Sequence, residues 1–199
     1  MRYLVHLALL LTLCSTQALA NDTQLVELIV FRQSSETIPS SQVAPDSWAN
    51  GATPVTSEML RSTHLDHLVK KLTPANGYQV LLHKAWLQTS NGPSVQVAVT
   101  EGAESFAHYP VEGTVAMELE RTSQVQMDLW INQFNPDATL LSSERFKQSA
   151  LVANDQVTFI DHGTLGALIR IQAQQSQAQA QAQQPEVQPN SAANPEDFE

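Results

Sequence analysis

Glu118 and Glu120 sit two apart in a stretch of period two, so a strand there would carry both carboxyl groups on one side. Strand rise puts their Cα atoms roughly 6–7 Å apart. That is within reach of the carboxyl spacing used for glycoside hydrolysis. Catalytic acid pairs usually come from different elements whose surroundings push their pKa values apart, and two acids alternating with apolar residues also make a plain solvated face. Asp161-His162 offers half of a Ser-His-Asp arrangement, but adjacent residues in a tight turn project differently, and an Asx-type turn closed by Gly163 needs no chemistry. His64 and His67 are three apart in a helical pattern and could share a metal; Lys70 and Lys71 beside them oppose a cation, and spacing indicates no third ligand. His83 alternates with Leu81 and Ala85, the pattern of a hydrogen-bonded core histidine. The chain holds no G-x-S-x-G, S-x-x-K or H-E-x-x-H motif, and its one cysteine, Cys14, falls in an N-terminal export segment. The residues therefore point away from an enzyme, and they imply no metal and no cofactor.

Three tryptophans are the other chemistry-bearing side chains. Trp48 is the only large aromatic in a long polar loop, either an anchor holding that loop to the core or a ring offered to a ligand. Trp86 shares a strand face with Tyr78, Val80, Leu82 and Lys84, which is mostly core. Trp130 shares its face with Gln126 and Asp128. If that face is open, an indole beside hydrogen-bonding groups can stack on the apolar face of a sugar ring; the alternative is that the helix or a loop covers it.

These residues need elements to place them. The run Leu25 to Phe31 is apolar on both strand faces except at Glu27, and so reads as a central strand. Gln33 to Thr56 is polar, with Pro39, Pro45 and Pro54 along it, and reads as a loop. Thr56 can cap a helix running to about Leu72, with Leu65, Leu68, Val69 and Leu72 as its apolar stripe and Pro74 and Gly77 ending it. Thereafter the period is two. Tyr78 to Thr89 is a strand, Asn91-Gly92-Pro93 turns the chain, and Val95, Val97 and Val99 return as a hairpin partner. Val115, Met117 and Leu119 alternate with polar or small residues, and Val125 to Ile131 follows across a turn at Thr122-Ser123-Gln124. Strands from Thr139 to Val152, Val157 to Ile160 and Leu165 to Ile171 complete the core. The expected fold is α+β, a mainly antiparallel β-sheet with one early α-helix packed on it and a disordered C-terminal tail.

Length and charge bound the rest. The chain has 199 residues. Arg2, an apolar run from Leu4 to Leu13 and the small-x-small Ala18-Leu19-Ala20 read as a signal peptide over residues 1–20, cleaved after Ala20. The run is too short to span a bilayer, and no later run suggests a transmembrane segment. One α+β domain is expected over 21–171. Residues 172–199, rich in Gln and Ala and then acidic, lack the apolar side chains that would offset ordering and read as a tail. Ten Lys and Arg against 20 Asp and Glu give a net charge of −10, a poor match for nucleic acid or anionic lipid.

Several segments in order resemble the CsiV family of periplasmic peptidoglycan-binding proteins: Leu25 to Gln33 (LVELIVFRQ), Pro45 to Ala49 (PDSWA), Tyr78 to Gln88 (YQVLLHKAWLQ), Gly113 to Ile131 and Val157 to Ile171 (VTFIDHGTLGALIRI). YQVLLHKAWLQ and IDHGTLGALI are the most specific. The resemblance implies a soluble periplasmic protein that binds peptidoglycan. It also implies work alongside an outer-membrane lipoprotein activator to promote glycan polymerisation by a class A penicillin-binding protein. Where the family tends to carry a proline after the Asp-His pair this chain has Gly163, and where it carries an arginine-rich stretch this chain reads Gln148-Ser149-Ala150-Leu151-Val152. The candidate wall contacts are Trp48, His83, Lys84, Trp86, Trp130, Asp161 and His162, with Trp130 or Trp48 to stack on glycan faces and Lys84, His83 or His162 to pair with stem-peptide carboxylates. A cell-wall hydrolase using Glu118 and Glu120, or a structural periplasmic partner that never touches the wall, are the alternatives.

Overall fold

The computed structural model describes residues 22–33, 37–49, 51–90 and 92–174. The signal segment with Ala20, Asn91 and the tail from residue 175 onward lie outside them. The elements in chain order are β1 (Asp22–Arg32), β2 (Thr53–Pro54), β3 (Leu60–Arg61), the one-turn helix α1 (Asp66–Val69), β4 (Gln79–Ser90), β5 (Val95–Glu101), β6 (Val111–Glu118), β7 (Thr122–Phe134), β8 (Leu140–Ala153), β9 (Thr158–His162) and β10 (Leu165–Ala173). β10 carries on through Gln172 and Ala173, which pair with Leu25 and Gln24, so the strand extends two residues into the stretch that composition assigns to the tail.

The strands form two sheets, in the orders β3-β4-β1-β10-β9 and β2-β5-β6-β7-β8. All pairings are antiparallel except the short parallel contact of β2 with β5. Period-two alternation gives each sheet an apolar side, and the two apolar sides close on each other. Val26, Leu28, Val30, Trp86 and Ile169 from the first sheet and Val115, Met127, Leu129 and Phe146 from the second belong to one buried cluster. Each such side chain contributes roughly 1.5–3 kcal/mol by leaving water. β1 is central, as its two-sided apolar run predicts, with β4 on one side and β10 on the other.

Two expectations fail here. The helix from Thr56 to Leu72 does not form: Leu60 and Arg61 pair with Trp86 and Ala85 as an edge strand, and α1 holds only four residues. The apolar stripe survives without the helix, because Leu65, Leu68, Val69 and Leu72 pack on Ile29 and Phe31 of the first sheet. The fold is therefore mostly β, and among the described residues no long helix packs on it. Nor do β4 and β5 form a hairpin, because the chain turns at Gly92-Pro93 into the other sheet. The β6–β7 hairpin is present, with its turn at Leu119–Arg121, slightly earlier than expected.

Gly113 in β6 lets the β6–β7 ladder close. Its φ is +150°, and an added Cβ would run into the Asp128 carbonyl oxygen and lie 2.6 Å from Leu129 Cα. Those atoms belong to the neighbouring strand's backbone, so relief requires opening the ladder. Gly113→Ala is expected to lower the unfolding free energy by about 2–3 kcal/mol, and a urea midpoint equal to the parent's would refute the clash.

Candidate functional site

With Val97, Val115, Val125, Met127, Leu129 and Phe146 turned into the core, period two sends the intervening residues of β5 to β8 outward. Cross-strand register lines them up in rows. One row is Gln96, Ala116, Gln126 and Ser149; the next is Ala98, Thr114, Asp128 and Lys147; the third is Thr100, Glu112, Trp130 and Arg145. Small side chains fall at Ala116, Thr114 and Ser149 among longer ones at Gln96, Gln126 and Lys147. The result is an open polar groove of about 530 Å³, lined also by Gln148.

The groove is charged at one end. Arg145 binds Asp128 in two-point fashion, Nε to Oδ1 at 2.7 Å and Nη2 to Oδ2 at 2.6 Å, and Lys147 Nζ lies 3.7 Å from the same carboxylate. The Arg145 guanidinium sits 4.7 Å from the centre of the Trp130 ring. The face that Gln126 and Asp128 mark is open at the groove, but Trp130 is only 6% exposed, so the indole is covered and does not offer a stacking surface. What the ring offers is a seat for the arginine.

Beyond Trp130 the same sheet is roofed by the loops 37–49 and 102–110. Glu112, fully buried, accepts from His108 Nδ1 at 2.7 Å, Asn132 Nδ2 at 2.8 Å and the Tyr109 N–H at 2.8 Å. Ser143 donates to Asn132 Oδ1 at 2.6 Å and accepts from the Ala44 N–H at 2.9 Å, which fastens the first loop. His108 Nε2 faces Asp46 at 3.3 Å. Burial pulls the His108 pKa down, but hydrogen bonds and charge from Glu112 and Asp46 outweigh it and hold it above the ordinary 6.5. Trp48 is half-buried, donates from Nε1 to the Ala107 carbonyl at 3.3 Å and meets the Tyr109 ring edge-on at 6.2 Å. It joins the two loops, and both Trp48 and Trp130 thus serve one end of one sheet.

The remaining sequence candidates are dispersed. Trp86 is wholly buried, its Nε1 donating to Gln88 Oε1 at 3.2 Å, and offers a ligand nothing. His83 is the hydrogen-bonded histidine its alternation predicts, donating from Nε2 to Glu27 at 2.9 Å. Lys84 bonds the Thr100 carbonyl and lies 3.3 Å from Glu101. Asp161 and His162 diverge at the end of β9: the first takes a hydrogen bond from Gln33, the second from Gln148 at 2.8 Å. Gln148 falls two residues after the buried Phe146 and opposite the buried Met127, and His162 also meets the Phe146 ring edge-on at 6.0 Å, so this pair lies on the inner side of β8. Glu118 ends β6 and Glu120 lies in the turn after it, so the two do not alternate along one strand. His64 precedes α1 and His67 lies on it, and no group of three or more His, Cys, Asp and Glu suited to a metal occurs among the described residues.

Sequence reasoning missed Gln96, Arg145, Lys147 and Ser149, whose contribution depends on register between strands far apart in the chain. It also left Glu27 unassigned. Its signal was visible: a single acid in an apolar run.

These features describe a two-sheet β protein that presents a polar groove on one outer face. The chain belongs to the CsiV family of peptidoglycan-binding proteins, because the family model described as "Peptidoglycan-binding protein, CsiV" matches residues 59–174. The match takes in β3 to β10, and so every strand that lines the groove. No curated protein and no solved structure matches the chain. Among the described residues, no helix is long and apolar enough to cross a membrane.

Proposed function

We propose that this chain is a periplasmic protein that binds peptidoglycan in the groove on the outer face of β5 to β8 and catalyses nothing. The observation that carries the reading is the row structure of that face, in a chain whose family binds peptidoglycan. Gln96 and Gln126 can donate to and accept from sugar hydroxyls and acetamido groups. Lys147, two-thirds exposed, and Arg145 supply cations for stem-peptide carboxylates. Trp130 acts by seating Arg145, and Trp48 by holding the roof loops. Lys84 and Asp161 border other surfaces and serve as secondary contacts at most. Bound to the wall, the protein would help an outer-membrane lipoprotein activator to promote a class A penicillin-binding protein by keeping synthase and substrate together.

Co-sedimentation with purified sacculi tests the groove. Arg145→Ala with Lys147→Ala is expected to weaken retention about tenfold or more, since a hydrogen bond to a charged group is worth roughly 1.5–3 kcal/mol and each 1.4 kcal/mol is a factor of ten. Retention equal to the parent's would remove the groove from the reading. Release of soluble muropeptides that disappears in Glu118→Gln would replace binding by hydrolysis.

A further inference from the structure

Four of the eight exposed large hydrophobic side chains among the described residues, Ile38, Val43, Phe106 and Leu141, belong to segments tied together at the roofed end of the second sheet. The Ser40 N–H donates to the Ser143 carbonyl at 2.7 Å, holding the loop of Ile38 and Val43 against β8 close to Leu141. Ser105 Oγ donates to the Ala138 carbonyl at 3.0 Å, holding the Phe106 turn against the β7–β8 connection. Trp48 joins these loops through Ala107.

Phe106 stands out within this patch. It is 74% exposed and occupies the tip of a two-residue turn closed by Ser105 and His108, with φ of 48° at Phe106 and 66° at Ala107. Two consecutive positive φ values suit Asn-Gly, and a bulky aromatic there is costly. The buried pair of Glu112 with His108 anchors the turn from below and keeps the ring outside. The three segments 37–49, 102–110 and 135–139 carry Asp46, Glu104 and Asp137 and contain no lysine or arginine. Hydrogen bonds from Thr139 hold the Asp137 carboxyl below its ordinary value, so that charge persists.

We infer that this end of the molecule is a docking surface for a basic protein partner, with the Phe106 ring as its anchor and Asp46, Glu104 and Asp137 as its acidic rim. Apolar patches with charged rims mark interaction sites, and aromatic anchors carry most of the energy of an interface. The rim's sign selects the occupant. It repels anionic lipid, and it repels a second copy of a chain whose net charge is −10. None of these residues lines the groove, so the inference does not depend on the groove's ligand.

Trp48 is a built-in reporter, because Trp86 and Trp130 are buried. The full chain is titrated with an amphipathic peptide of alternating leucine and arginine, with its leucine–glutamate counterpart, and with phosphatidylcholine vesicles containing phosphatidylglycerol. The basic peptide is expected to shift Trp48 emission saturably. Phe106→Asn is expected to weaken that binding at least about tenfold while sacculus retention is unchanged and the melting temperature is equal or higher, Asn being at ease at positive φ. Equal affinity in Phe106→Asn, equal binding of the glutamate peptide, or emission that responds only to vesicles or to self-association at high concentration would each overturn the inference. Loss of sacculus retention in the parent chain would count against the groove and leave this surface standing.

Discussion

Glu27→Ala is expected to lower the unfolding free energy by about 3–5 kcal/mol, the cost of removing one side of a buried charge network. Glu27 is 1% exposed in the central strand of the first sheet. Its Oε1 accepts from the His64 N–H at 2.9 Å, the Leu65 N–H at 2.8 Å and His83 Nε2 at 2.9 Å, and its Oε2 accepts from Arg170 Nη2 at 3.3 Å. The carboxylate therefore serves the start of α1, where no side chain within the segment provides a cap. Truncation orphans two main-chain donors and leaves Arg170 facing an empty site. Glu27→Gln keeps an acceptor oxygen for α1 and should cost less. Because Leu65, Leu68, Val69 and Leu72 lie on the sheet through this tether, trypsin should cut after the exposed Lys70 and Lys71 much faster in Glu27→Ala. A urea midpoint and a cleavage rate both matching the parent's would show that packing alone holds the segment.

The same residue shows how far the sequence could be read. Alternation and the two-sided run at Leu25 to Phe31 identify strands and the central one among them, because burial on one face or two leaves a local pattern. The partition into two sheets has no such signature: period two assigns a residue to a face, not to a neighbour, and the Gly92-Pro93 turn looks alike whether it closes a hairpin or crosses between sheets. The stripe from Leu65 to Leu72 mimics a helix since its apolar side chains must meet a sheet, yet the main chain upstream finds a better partner in the open edge of β4. Gln126 and Asp128 lie on the outward face that their alternation marks, while Trp130 on the same face is buried. That Arg145 would cover the indole follows only from the pairing of Trp130 with a residue fifteen positions on. The Phe106 turn was beyond reach, since Phe-Ala carries none of the chemistry that announces a tight turn.

Glu112→Ala is expected to be as costly as the loss of Glu27, about 3–5 kcal/mol, and to act on different parts. It removes the acceptor for His108, Asn132 and the Tyr109 N–H together, so the loops 37–49 and 102–110 lose their shared fastening. The parent's fastening should also depend on pH. Both ring nitrogens of His108 face carboxylates, Nδ1 toward Glu112 and Nε2 toward Asp46, and only the imidazolium can donate to both. With the folded pKa held above the unfolded 6.5, the folded state retains the proton over a range in which the unfolded chain has released it. The stabilisation is therefore complete below pH 6.5 and is lost as pH rises through the raised value. His108→Gln can donate to one carboxylate only and does not titrate, so its stability should lack this loss. Urea midpoints of the two proteins, followed from slightly acid to alkaline pH, should converge as pH rises, and parallel curves would mean that the proton on His108 does not hold the loops. Because the main chain of His108 also closes the turn that displays Phe106, the alkaline side of that transition is where the ring should first lose its fixed position.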